Sequence, residues 1–312
     1  MKNTHIEHPE DSILTGDLSV LDWFCSMKGA KASLKIDGAP AIVWGTNPAT
    51  GNFFVGTKSV FNKKKLKINE SHTDIDRNHP DEDLAEKLHT CFDYLPRTDE
   101  IYQGDFIGYG GDHTYQPNTL VYSFDNVIEH EIIIAPHTVY DCPTGKLSEA
   151  IASSLDYNLP DDSNVLFVRP NVEFGVNPSI IDKCRFARVI SGTVTYATKT
   201  EARKIVKAIN TFIRVGAVLD DYALSVAADC DINLIRLWKL IRSIKHDFME
   251  MFEHDANEFH GTPFATFIYD GDSIQQIDGE GYVMWSDIGT YKLVDRELFS
   301  HVNFNQTQFG RV

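Results

Sequence analysis

Five charged residues sit inside or beside apolar, strand-like segments, where charge is costly. Lys35 lies in "SLKIDGAPAIVWG", Lys58 in "FFVGTKSVF", Asp105 in "IYQGDFIG", Glu280 in "DGEGYVMW" and Lys292 in "TYKLV". Each has an ordinary reading when taken singly: a solvated strand lysine, a turn carboxylate, an edge-strand guard against aggregation. Together they suggest chemistry. A lysine in a dry pocket is a nucleophile, because desolvation and neighbouring cations favour the neutral amine. Attack on a nucleotide α-phosphate needs further groups. Cations must neutralise the phosphate oxygens, and carboxylates must hold a divalent metal that polarises the phosphate and its pyrophosphate leaving group. Strands suit such groups because they hold position.

The elements that would position them read as follows. Asp17 caps a short helix over residues 17–28. Strands are expected at 32–37 and 40–45, with the turn "TNPATGN" at 46–52 and a return strand at 53–61 that carries Lys58, an antiparallel hairpin. "DEDLAEKLHTCFDYL" has helical apolar spacing at Leu84, Leu88, Cys91 and Leu95. Short strands follow near 101–107, 119–124, 131–135 and 164–169. From about Lys199 to Glu258 the pattern turns helical, first in "TEARKIVKAINTFIRVG" behind a threonine cap, then in the long amphipathic "INLIRLWKLIRSIKHDFMEMFEHDANEF". Strands return at 281–287 and 290–295, joined by a turn around Gly289. The expected architecture is a mostly antiparallel α+β core over 1–196 and 263–312, with a helical accessory module at 197–262.

Composition sets the outer bounds. The chain has 312 residues, 42% hydrophobic and 24% charged, an ordinary globular balance. No apolar run approaches the ~20 residues of a membrane-spanning helix, and "MKNTHIEHPEDSIL" lacks the apolar core of a signal peptide. Five scattered cysteines without a CxxC pair suggest reduced thiols in the cytoplasm and no zinc site. The formal net charge of −16 argues against a nucleic-acid coating protein. It leaves room for an enzyme with a local basic track, either "NKKKLK" at 62–67 or "RLWKLIRSIKH" at 236–246, whose Trp238 reads as core. His5, Glu7, His8, His113, His254, Glu258 and His260 could ligate a metal, but without an HExxH spacing they read as solvent-exposed side chains.

The order KxDG, a basic residue on the following strand, an acidic strand, EGYVMW and finally YKLV resembles the covalent nucleotidyltransferases. These are the ATP-dependent DNA and RNA ligases and the mRNA-capping guanylyltransferases. The resemblance implies that Lys35 forms a phosphoramidate with the nucleotide, that Asp37 contacts the ribose or orients the lysine, and that Gly38 lets the backbone approach the nucleotide. It implies that Lys58 contacts a phosphate, that Asp105 and Glu280 bind the ribose and Mg²⁺, and that Lys292 sits on the α-phosphate. His137 or Tyr140 of "APHTVYD" would stack on the base. Three departures stand out. Val294 occupies the place of a second lysine, with Arg296 a candidate replacement; Asp105 stands for glutamate; and the 17 residues after Asp295 are too few for the oligonucleotide-binding barrel, which favours the RNA-ligase side. The chain also resembles an uncharacterised group of tailed-phage proteins through "HIEHPED" and "FFVGTKSVFNK", which implies the cytoplasm of an infected host.

The expected function is therefore an ATP- and Mg²⁺-dependent RNA-ligase-like transfer of AMP to the 5′-phosphate of an RNA or nicked nucleic-acid end. Two alternatives stay open. One is a nucleotidyltransferase acting on a protein or small molecule, which suits the acidic surface. The other is a catalytically inactive phage binding protein with the ligase fold, which suits Val294 and Asp105. The choice between ATP and GTP is also open.

Overall fold

A computed structural model describes residues 8–25, 30–174, 178–253, 263–269, 274–277, 279–287 and 289–299. The chain opens with α1 (Pro9–Ser12), α2 (Ser19–Cys25), β1 (Lys31–Leu34), β2 (Ala41–Thr46) and β3 (Phe53–Gly56). Then come α3 (His72–Asn78), α4 (Glu82–Tyr94), β4 (Ile101–Tyr109), β5 (Thr114–Tyr115), β6 (Leu120–Ser123) and β7 (Ile132–Asp141). β8 (Ile151–Ser154), β9 (Val165–Phe167) and β10 (Asn171–Phe174) lead into α5 (Pro178–Ser191), α6 (Lys199–Arg214), α7 (Asp221–Ala228) and α8 (Ile232–Met249). The last strands are β11 (Phe252–Glu253), β12 (Ala265–Tyr269), β13 (Ile274–Ile277), β14 (Gly281–Ser286) and β15 (Gly289–Val294). This is an α+β protein with antiparallel sheets.

The chain divides into two compact units, and the division falls between Lys35 and Ile36. The first unit is built mainly on Ile36–Pro170. Its main sheet runs β3-β2-β4-β7-β8, with β9 added parallel to β7. Alternation along β2 splits its residues between two cores. Ile42 and Trp44 join Leu88 and Cys91 of α4 on one face, and Val43 joins Phe54, Val60 and Leu147 on the other. Because both faces are covered, β2 reads as a continuous apolar run. The hairpin of β2 and β3 is antiparallel as expected, with Val43 opposite Gly56.

The second unit holds β1, β10, β11, β14 and β15 in one antiparallel sheet of order β11-β10-β1-β14-β15, together with α1, α2 and α5–α8. Asp17 accepts the backbone N–H of Ser19 at 3.0 Å, ahead of α2. Thr198 and Glu201 close a reciprocal capping box on α6. α8 buries Leu234, Leu237, Trp238, Ile241, Ile244 and Phe248 along one stripe.

Several expected boundaries move. The strand expected at 32–37 ends at Leu34, so Lys35 stands just beyond it. The strand expected at 53–61 ends at Gly56, and Lys58 opens a 3₁₀ turn (Lys58–Phe61) that the Thr57 hydroxyl caps by accepting the Ser59 N–H. The long helix stops at Met249, and Phe252 and Glu253 pair with β10 instead. The sequence pattern did not predict α5. Its buried stripe is Ile180, Cys184, Ala187 and Ser191, small and partly polar residues that leave a faint apolar period.

Candidate active site

In the second unit, β1 pairs with β14 and β14 with β15, so that Ser33, Val283 and Lys292 stand in one row across the sheet. One residue past β1, the Lys35 N–H donates to the Gly281 carbonyl at 2.8 Å and continues the β1–β14 register. Side chains two residues apart on a strand share a face. The row and the register therefore bring Lys35 and Lys292 to the same face. The Lys35 ammonium donates to Glu280 Oε2 at 2.5 Å, and the two side chains are only 21% and 12% exposed. Lys292 is half-buried. Burial, then the Lys35 and Arg296 charges, lower its pKa, with Glu280 and Asp11 pulling the other way. Lys35, Glu280 and Lys292, expected together, are together.

Gly281 makes this arrangement possible. Its φ is +137°, and a Cβ there would stand 2.1 Å from the Leu293 carbonyl oxygen and 2.9 Å from Val294 Cα. Gly281→Ala combines backbone strain with overpacking, and we expect it to cost about 2–5 kcal/mol. Denaturant unfolding reads this directly; a change below about 1 kcal/mol would show that β14 and β15 can part cheaply.

Behind β15 lies a buried ionic network built from "HPED" and α8. Glu10 is fully buried and accepts Lys245 Nζ at 2.8 Å and Arg296 Nη1 at 3.3 Å. Arg296 also donates to Asp11 at 2.8 Å and to Asn210 at 2.7 Å. Lys245 reaches the Val294 carbonyl at 2.8 Å, and Trp238 donates to Asp11 at 3.0 Å. Arg296 is thus committed to the core. As a replacement for the missing second lysine it can act on Lys292 only through its field. Val294, at the lysine's place, is itself buried.

His8, expected in solvent, is largely enclosed beside Glu10. Burial first, then Arg296, Lys292 and Lys245, drive its pKa from 6.5 down to about 2, against the pull of Glu10. The folded protein therefore refuses a proton that the unfolded chain accepts below 6.5. Stability from this group is intact above that pH and falls as the medium becomes more acid. Between pH 6.5 and the onset of Glu10 titration near 4.5, the loss is about 2–3 kcal/mol at roughly 1.4 kcal/mol per unit. Urea midpoints followed across that window should show the slope in wild type and lose it in His8→Asn; matching slopes would remove His8 from the account.

The first unit carries Asp37, Gly38, Lys58 and Asp105. Asp37 Oδ2 accepts Asn118 Nδ2 at 2.9 Å, and its backbone N–H donates to the buried Tyr122 hydroxyl at 2.8 Å. Asn118 and Tyr122 carry no sequence signal that ties them to KIDG. Gly38 also meets a constraint within its own unit: a Cβ there would stand 2.4 Å from the Phe106 carbonyl oxygen of β4. Lys58 is exposed. Asp105 projects from β4, half-buried, with His137 Nε2 at 3.6 Å. His137 in turn contacts Gln103 at 3.3 Å and Thr138 Oγ1 at 2.7 Å. Tyr140 does not present an open face. It is buried, its hydroxyl donates to Gln103 at 2.7 Å, and its ring lies 4.2 Å from that of Phe61. Of the two aromatic candidates, only His137 is accessible.

Among the described residues no group of three or more His, Cys, Asp or Glu is placed to hold a metal ion. His113 is exposed beside Asp112, while His5, Glu7, His254, Glu258 and His260 lie outside the described residues. The two basic tracks separate. Lys63, Lys64 and Lys65 are exposed. The cations of 236–246 are engaged: Arg236 and Lys239 with Asp221, Arg242 with Glu297 and Lys245 with Glu10. No described helix is long and apolar enough to cross a membrane.

The fold and site define an α+β protein with a lysine–carboxylate–lysine cluster on the face of an antiparallel sheet. The chain belongs to DUF6267, a family of unknown function whose model matches residues 3–224 and 185–308. No curated protein and no solved structure matches it.

Proposed function

We propose that this protein is a covalent nucleotidyltransferase in which Lys35 attacks the α-phosphate of ATP. The observation that carries the reading is the Lys35–Glu280 contact of 2.5 Å with Lys292 on the same sheet face. A carboxylate at that distance holds the amine protonated and unreactive, whereas the nearby ammonium of Lys292 favours the neutral form. Glu280, which already accepts from the Lys35 ammonium, is an acceptor for the proton that Lys35 must lose. When the amine attacks, the P–N bond forms, the α–β phosphoanhydride bond breaks and pyrophosphate leaves. In this reading the Lys292 ammonium, on the same sheet face, meets the charge that develops on the α-phosphate. Mg²⁺ would bind through one or two carboxylates plus substrate phosphates; Glu280 is the carboxylate that the second unit would offer it, and Asp105, in the first unit, keeps the role that the resemblance implies. An oxygen of a 5′-phosphate end of RNA then attacks the AMP phosphorus: a phosphoanhydride bond forms, the P–N bond breaks and Lys35 leaves as the amine, taking up a proton. Asp37, Gly38, Lys58 and His137 keep the nucleotide-binding roles that the resemblance implies.

The commitment of Arg296 to Glu10 and Asp11 favours a second reading, an inactive nucleotide-binding relative with too few phosphate cations. Intact-protein mass spectrometry after incubation with ATP or GTP and Mg²⁺ separates the two. An acid-labile nucleoside monophosphate adduct on the Lys35 peptide supports catalysis, and binding without an adduct supports the second reading.

A further inference from the structure

We propose that the outer face of α6 is a docking track for a nucleic-acid backbone. The helix buries Ala202, Ile205, Ile209 and Ile213 and exposes Lys199, Arg203, Lys204, Lys207 and Arg214. Its single acid, Glu201, is turned back into the capping box, where the Thr198 N–H and hydroxyl donate to it at 2.8 and 2.7 Å. The chain as a whole has 45 acidic to 29 basic residues, so five cations against one acid reverse the local balance. Among the described residues no carboxylate forms an ion pair with Lys199, Arg203, Lys204 or Lys207, in contrast to the engaged cations of α8.

Spacing and burial select the partner. Lys199, Arg203 and Lys207 recur every four residues, a rise of roughly 6 Å each, and Arg214 extends the stripe to about 22 Å. A nucleic-acid backbone presents anions in regular succession to such a row, and cations that neutralise phosphates release counterions. A membrane surface is disfavoured, because the apolar stripe of α6 itself, Ala202, Ile205, Ile209 and Ile213, is already buried against its own unit. At physiological salt the field of the acidic remainder is screened within about 8 Å, so the local stripe governs contact. This inference supplies the grip that a polynucleotide acceptor would need, yet it stands without the chemistry at Lys35.

The test is fluorescence anisotropy with a 5′-hydroxyl single-stranded RNA, which can bind but offers no 5′-phosphate to react. Binding is followed across a salt series in wild type and in Lys199→Gln/Arg203→Gln/Lys204→Gln/Lys207→Gln. Gln keeps helix propensity, and far-UV circular dichroism checks the helix. We expect at least tenfold weaker binding in the variant and a log K versus log salt slope smaller by about 3, with adduct formation at Lys35 unchanged. Lys199→Arg/Lys204→Arg/Lys207→Arg, which keeps the charge, should bind like wild type. Lys63→Gln/Lys64→Gln/Lys65→Gln, in the other unit, should lose less than the α6 variant. No RNA binding by wild type, or an unchanged affinity and slope in the Gln variant, would overturn the proposal. Equal binding of polyglutamate through the same residues would reassign the face to an acidic protein. A protein that forms no adduct but binds RNA through α6 would sink the Lys35 reading alone.

Discussion

Wild-type protein incubated with ATP and Mg²⁺ is expected to gain the mass of one nucleoside monophosphate, and Lys35→Ala to gain none. The expected effect is the whole signal, because the covalent step of the proposed reaction runs through the Lys35 amine. Lys292 is the nearest amine of the cluster. It is anchored two strands from β1, on β15 opposite Val283, and does not share the position of Lys35, whose N–H donates to the Gly281 carbonyl. Lys292→Ala should therefore leave the nucleophile in place but slow adduct formation by about 10²–10³-fold, the usual loss when one charge-stabilising group is removed. An adduct that persists in Lys35→Ala would exclude Lys35 as the nucleophile. Protein shown to be free of bound nucleotide that forms no adduct at all would leave the nucleotide-binding relative as the better reading.

The second large effect is on stability. Glu10→Gln should cost about 3–5 kcal/mol, because it leaves the buried Lys245 ammonium with neutral acceptors in place of its counter-charge and takes one of two carboxylates from Arg296. Burial alone would raise the Glu10 pKa, but Lys245, His8 and Arg296 together bring it down from 4.5 to about 2. Its contribution is therefore complete above pH 4.5 and is lost as the pH falls toward 2. The double variant Glu10→Gln/Lys245→Met removes both members of the pair and should recover part of the loss. Urea unfolding of the three proteins decides the matter. If Glu10→Gln lost less than about 1 kcal/mol, the network would be ornament to the packing around Trp238.

How far the site could be read in advance depends on the range of the interaction. Lys35, Glu280 and Lys292 were legible because a charge inside an apolar strand segment is unusual at any position, and no partner need be known to notice it. The fate of Arg296 was not legible: its partners Glu10 and Asp11 lie 286 and 285 residues away. The same holds for Asp37, whose anchor Asn118 is 81 residues distant. The two basic helices could not be told apart in the sequence for a related reason. "RLWKLIRSIKH" and "EARKIVKAINTFIR" look alike as strings, and only the neighbours show that Arg236, Lys239, Arg242 and Lys245 of the first pair with carboxylates, whereas among the described residues no carboxylate forms an ion pair with Arg203, Lys204 or Lys207 of the second.

By itself the sequence determined what short-range physics controls. The hairpin around 46–52, the threonine cap of α6, the Asp17 turn before α2 and the amphipathic stripe of α8 all follow from neighbouring residues. Tertiary structure alone decided where β1 ends, that Lys58 leaves the strand, that His8 and Glu10 are enclosed, and that Lys35 faces Glu280. These depend on strand register and on burial. Register is set by pairing between segments more than two hundred residues apart, and burial converts an ordinary charge into a committed one by removing its water.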